Sequence, residues 1–326
     1  MTTPEGEHAK SSHQKLSVQG DYSVPLHVND LEMPKIDSFV EEKSTEQSTL
    51  RPENSHLSNS FQDPVCKALL SKILKNGIFK ESTEVGVQIV DALEDIAKSQ
   101  LSDREAILYL RAIIANSEHQ SLADNSFKVD EEQRIARRVH QLIKTPGFSN
   151  APCSLLDIGC GDGSITDGLT KSWKIPKEKA ICLEVFERRK ELDSYTHMIM
   201  KDGDFPTLPM KMEVAVMLMT LHHEEDPQNL LQQTFDALED GGKLLIREHD
   251  ANSESLKLLY HALDKFYFSV LHKRDDFPIP ASYRSSEEWI DMIRKSGYTV
   301  LNSYHPEPDN PNNPVHILCQ KEVVEK

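Results

Sequence analysis

The sequence has no apolar run approaching the ~18 residues that a membrane span needs, and its N-terminal stretch is too polar for a secretion signal. Positive charge is scarce, with 37 Lys and Arg against 53 Asp and Glu and a formal net charge of −16. Affinity for a polyanion comes largely from Lys and Arg neutralising phosphates, so this balance argues against non-specific nucleic-acid binding, although a local basic groove stays open. Cysteine is sparse as well. Cys66, Cys153, Cys160, Cys182 and Cys319 are odd in number and include no C-x-x-C pair, so neither a disulfide framework nor a zinc site is expected. The expectation is a soluble protein of a reducing compartment, the cytoplasm.

What is present falls into three regions. Residues 1–60 are rich in Ser, Glu, His, Gln, Asn and Pro, and their apolar residues follow no period; such a segment buries too little to offset its ordering entropy and reads as a disordered tail. Residues 61–150 change to helical spacing, through Leu69, Leu70, Ile73 and Leu74, then Ile89, Val90, Leu93 and Ile96. Ser102 and Glu105 have capping-box spacing before Ile107, Leu110 and Ile113, and a last run, Ile135, Val139 and Leu142, carries Arg134, Arg137 and Arg138. A helical N-terminal extension or cap is expected. Residues 151–326 form the third region, with buried-strand texture at 154–158, 180–185, 198–200, 214–219 and 243–247 and helical stretches between most of them. That alternation implies an α/β, Rossmann-like, doubly wound parallel sheet. Residues 297–304 and 315–320 are joined by a Pro- and Asn-rich link with no room for a helix, so the final strand of seven should be antiparallel.

The most informative stretch runs from Leu155 through Asp157 and Ile158 into Gly159, Cys160, Gly161, Asp162, Gly163 and Ser164. Glycines at alternate positions let the backbone turn sharply and lie against a ligand. The spacing is G-x-G-x-G, and Ser164 stands where a dinucleotide fingerprint has its last Gly, which counts against NAD. Asp157 and the second-strand acid Glu184 suit a ligand with a cationic amino-acid part and a ribose diol.

On these residues the region from about Ser154 to Lys321 resembles the class I S-adenosylmethionine-dependent methyltransferases. Their first motif is matched by Asp157 to Gly163, their ribose acid by Glu184, and their Leu-His-His fourth-strand ending by Leu221, His222 and His223. A helix ending in Gly-Gly before the fifth strand is matched by Gly241 and Gly242. An Asp shortly before Leu-Pro is matched by Asp204 before Leu208 and Pro209, with Asp202 as its competitor. The resemblance implies S-adenosylmethionine as cofactor, held by Asp157, Gly159, Cys160, Gly161, Gly163, Glu184, Asp204, Phe205 and Thr220.

Methyl transfer is an in-line displacement, so an enzyme mainly aligns the partners and, where needed, removes a proton. The ends of the fourth and fifth strands face the crevice of such a sheet. They carry His222, a candidate base by its similarity to plant-type O-methyltransferases, and His249, a second candidate. His223, Arg247, Asp250, Tyr260, Tyr267 and Tyr283 are candidate acceptor contacts, with Arg247 suited to an anionic group. Adjacent histidines lack ligand spacing on one element, and no metal is expected. The leading expectation is methyl transfer to an oxygen or nitrogen of a small molecule. RNA (including a cap) or protein as acceptor, or a non-catalytic cofactor-binding regulator, are the alternatives.

Overall fold

A computed structural model of the chain describes residues 55–80, 82–116, 120–148, 150–185, 194–200, 205–274 and 281–322, with the side chains of 120–131 set aside. The tail up to residue 54, Asp202, Asp204 and the segment 275–280 lie outside these residues.

Seven strands form one sheet in the order β3-β2-β1-β4-β5-β7-β6. They are β1 Leu155–Ile158, β2 Ala180–Glu184, β3 Thr196–Ile199, β4 Met212–Leu218, β5 Leu238–His249, β6 Tyr298–Tyr304 and β7 Pro314–Lys321. Pairing is parallel from β3 to β5, and β7 runs antiparallel to both β5 and β6. β1 and β2 are buried along their whole length, as strands covered on both faces must be. Side chains alternate between the faces. Leu156, Ile158, Leu244 and Ile246 pack on α7 (Pro227–Ala237) and α9 (Ser286–Lys295) through Leu230, Leu231, Trp289 and Ile293. Leu155, Val214, Val216 and Leu245 share a core with Val139 and Leu142 of α5 (Gln120–Ile143) and Leu169 and Trp173 of α6 (Ser164–Trp173).

The fifth strand departs from the expected pattern. Helix α7 stops at Ala237 and the chain is already extended at Leu238, with a register shift opposite Met212 and Val214. Gly241 adopts φ +77, and a Cβ on Gly242 would sit 2.8 Å from the Glu239 carbonyl, so the glycine pair serves an irregularity inside β5 instead of ending a helix. The strand also runs past Arg247 to His249, which places Arg247 and Glu248 on opposite faces.

A third core lies beyond the sheet. Helices α1 (His56–Gln62), α2 (Pro64–Ile73), α3 (Thr83–Ser99) and α4 (Asp103–Asn116) bury Leu57, Leu70, Ile89, Leu93 and Leu110. The same core takes Leu259 and Tyr260 from α8 (Glu254–Asp264), Phe266 and Val270 from the wide π turn Lys265–Leu271, and Tyr283. The helical unit is therefore completed by chain that follows β5, while α5 joins the sheet layer. The expected boundary at residue 60 falls inside α1, whose Leu57 is fully buried.

Candidate active site

The glycine loop is fixed from below by backbone. Gly159 and Cys160 both donate their N–H to the Leu183 carbonyl, at 2.9 and 3.2 Å. Glu184 closes the β2 end: its carboxylate accepts from Gly161 N at 2.7 Å and Val185 N at 2.8 Å. Burial raises its pKa above the usual carboxylate range, and those two bonds work against the rise. Thr220 Oγ1 donates to the Ile158 carbonyl at 3.1 Å, so Thr220 braces the loop from the β4 side. The expectation of unpaired cysteines is corrected here. Cys160 and Cys182 form a disulfide across Cα atoms 5.8 Å apart, because the parallel register sets Cys182 beside Asp157 and the loop folds Cys160 back over it.

Asp157 is buried at the end of β1. One oxygen accepts from Thr166 Oγ1 at 2.6 Å, and among the described residues Oδ1 is buried with no partner. Burial pushes its pKa up to about 7, with Thr166 opposing and Glu184 adding to the rise. Asp157, Gly159, Cys160 and Gly161 open onto a cavity of about 1260 Å³. Ile135, Arg138 and Val139 of α5 line it too, together with Tyr267, Phe268 and Arg274 beyond α8. Phe205 instead packs against the core on the α7 and α9 side.

The ends of β4 and β5 are knitted together by Glu248. Its Oε1 accepts Thr220 N at 2.9 Å and Leu221 N at 2.8 Å, and Oε2 lies 2.6 Å from His222 Nδ1. On the other edge of that ring, Nε2 is 3.5 Å from Asp264 Oδ2. Burial alone would lower the His222 pKa, yet the two carboxylates hold it up to about 10. Both ring nitrogens of His222 thus face carboxylates, and His222 is not among the residues that line the cavity. His249 stacks on Tyr260 at 4.0 Å and directs Nδ1 to the Asn312 carbonyl at 3.2 Å. Burial pushes it down to about 4, and it is not among the cavity-lining residues. Tyr283 donates to Asp264, and Tyr260 is fully buried; both belong to this cluster and not to the cavity wall, which takes Tyr267 alone of the three tyrosines. Asp250 accepts from Ser286 N at 2.7 Å and faces His305 Nε2 at 3.3 Å, holding the entry to α9. Arg247 points to the other face of β5, buried, with Nε unpartnered among the described residues and Arg134 and Glu307 in its electrostatic surroundings.

Residues 127–303, a little over half of the chain, match the family described as a methyltransferase domain. The chain belongs to that methyltransferase family. A protein-L-isoaspartate O-methyltransferase of Vibrio atlanticus is similar at 26% identity over 221 residues, covering 65% of this chain and 93% of that one. Among solved structures, the pyocyanin biosynthetic protein PhzM is similar with a TM-score of 0.48 at 13% identity, over 79% of this chain and 74% of that one. A possible histamine N-methyltransferase from Thermotoga maritima gives 0.39 at 22% identity, over 60% and 96%.

The methyltransferase is an enzyme with the sheet order and glycine loop of the class I type, and its methyl donor is S-adenosylmethionine, which supplies an electrophilic methyl group on sulfur. The residues present fit that group. Among the described residues Asp157 Oδ1 is a buried acceptor with no partner, which could take an ammonium, Glu184 is held at the loop where its carboxylate could accept a diol, and Gly161 leaves open space where a side chain would stand. The expected adenine contact Asp204 lies outside the described residues. Asp264 is the site residue that the sequence did not single out: it sits at the edge of an apolar helical stripe, and nothing in its spacing marks it as buried.

An ammonium is held best by an ionised carboxylate. Cofactor affinity should therefore fall as the pH drops below about 7, where Asp157 takes up its proton, by close to tenfold per unit. Calorimetry across this range checks it, and Asp157→Asn should bind weakly with a flat profile.

Proposed function

We propose that this methyltransferase transfers a methyl group to an oxygen or nitrogen of a small-molecule acceptor. The observation that carries the reading is the make-up of the cavity wall: α5 and the turn bearing Tyr267 and Phe268 line the same cavity as the glycine loop. About 1260 Å³ exceeds the roughly 300–1,000 Å³ of an ordinary ligand pocket, leaving room for a small acceptor beside the cofactor. Catalysis then rests on alignment, worth up to ~7–11 kcal/mol when reacting atoms are held in line, with Tyr267 and Phe268 as walls that orient the acceptor and keep water out. Arg138, whose guanidinium burial and the neighbouring Arg247 push down to about 9, offers an anionic substituent a partner at the same wall.

Incubation with labelled S-adenosylmethionine and separate small-molecule, RNA and protein pools tests this. Label in the small-molecule pool alone is expected; label only in RNA or protein would overturn the acceptor class while leaving the methyltransferase assignment intact.

A further inference from the structure

The cluster under β4 and β5 has a geometry that methyl transfer does not call for. His222 and His223 come from the turn after β4, and Asp264 closes α8. The Nε2 atoms of His222 and His223 lie 3.5 and 3.8 Å from Asp264 Oδ2, and one donor atom from each of the three residues falls within 4.8 Å of the others. Three donors on one ion at ~2.0–2.2 Å stand roughly 3.3 Å apart, so small side-chain rotations bring these into register. We propose that His222, His223 and Asp264 bind a first-row divalent cation, with Zn²⁺ the ion that this set suits best.

The donor types decide the class. Two imidazoles with one carboxylate favour Zn²⁺ and its neighbours, whereas Mg²⁺ and Ca²⁺ take oxygen ligands. The surroundings supply what a metal-bound histidine needs. Glu248 Oε2 holds Nδ1 of His222, which leaves Nε2 aimed at the other two donors, and Glu248 is itself fixed by the Thr220 and Leu221 amides. A carboxylate behind the ring in this way orients a histidine ligand and raises its basicity. Charge points the same way. Glu248 and Asp264 grip opposite edges of one imidazole, and that ring carries at most one positive charge against their two negative ones. A dication on a neutral His222 balances both carboxylates.

The site is reachable. His222 is buried, but the His223 and Asp264 side chains keep 18% and 16% exposure. The His223 ring meets Phe268 edge-on at 5.8 Å, and Phe268 is a wall of the cofactor cavity, so an ion held here lies beside it. The sequence pointed to no metal because its two histidines are adjacent, a spacing that needs a third ligand from elsewhere in the fold.

The full chain, stripped with a chelator and titrated with Co²⁺ in the absence of cofactor, should develop the visible absorption of a low-coordinate site, saturating at one equivalent and bleached by Zn²⁺. His223→Ala and Asp264→Asn should each weaken Co²⁺ binding by at least 100-fold, with melting curves showing that they fold. His223→Ala, being partly exposed, decides the matter should Asp264→Asn unfold. No absorption at excess Co²⁺, or absorption unchanged in His223→Ala, would overturn the site. Neither result bears on methyl transfer, which is read separately.

Discussion

Gly161→Val is expected to fold and to lose S-adenosylmethionine, whereas Gly159→Val is expected to fail at folding itself. Both glycines have positive φ, +58 and +70, so either substitution costs ~1–2 kcal/mol for a left-handed backbone, and more for a branched side chain. Their surroundings separate them. A Cβ on Gly161 meets nothing within 4 Å and projects into the open space of the cavity side, while its N–H keeps the bond to Glu184. A Cβ on Gly159 would stand 2.4 Å from Thr220 Oγ1 and 2.5 Å from its Cγ2. Thr220 cannot yield, because its hydroxyl is bonded to the Ile158 carbonyl and its amide to Glu248. Gly163 is tighter still, with Tyr195 Oη 1.6 Å from the added carbon. Calorimetry should show Gly161→Val binding at least ~100-fold more weakly, ~2.7 kcal/mol, with a single cooperative melt whose midpoint falls by roughly 5–10 °C, as ~2–3 kcal/mol of backbone strain implies. Gly159→Val should melt far lower or accumulate as aggregate. Parent-like affinity in Gly161→Val would mean that the cofactor does not lie against this turn.

The contrast shows which parts of the site a sequence can declare. Asp157, the alternating glycines and Glu184 were legible because the strand, turn and helix that carry them are contiguous and each residue type is demanded locally, by a left-handed φ or by the end of a buried strand. The parallel sheet with its antiparallel closing pair was legible from the alternation of apolar runs and from a Pro-rich link too stiff for a helix. The residues around His222 were legible only in part. Glu248 lies at the end of the strand beside the one that leads to His222 and is a natural partner for a histidine there, but Asp264 comes to it because α8 returns over the turn after β4, which leaves no trace in local spacing. The disulfide was hidden for the same reason. It depends on the register between β1 and β2, which no count of cysteines reveals. Three tyrosines looked alike as pocket walls, and only the fold separates Tyr267 at the cavity from Tyr260 and Tyr283 in the histidine cluster.

A chain that begins at Phe61 should be markedly less stable than one that begins at Ser55. The shorter chain lacks His56 and Leu57 of α1. Leu57 is fully buried in the core shared by α1 to α4 and α8, and burying a leucine is worth ~1.5–3 kcal/mol. Asp103 loses more. It opens α4 in a buried position, where Oδ2 takes His56 Nδ1 at 2.9 Å and Oδ1 takes Leu57 N at 3.0 Å. Burial works against its charge, and these two bonds more than offset it, holding the carboxyl below its ordinary range. Without them, the remaining ion-pair partner among the described residues is Lys265 Nζ at 3.9 Å, and breaking a buried pair costs ~3–5 kcal/mol. The combined loss is a large part of the ~5–15 kcal/mol that stabilises a typical domain. At ~2–4 °C per kcal/mol for a unit of this size, a drop in melting midpoint of roughly 10 °C or more is expected. The pH dependence identifies the cause. A carboxylate with a lowered pKa contributes its stability above the ordinary carboxylate range and loses it as the pH falls through the folded value. The Ser55 chain should therefore lose stability on acidification more steeply than either the Phe61 chain or an Asp103→Asn variant. Equal midpoints for the two truncated chains would show that α1 contributes nothing to the helical core and that Asp103 keeps its charge without it.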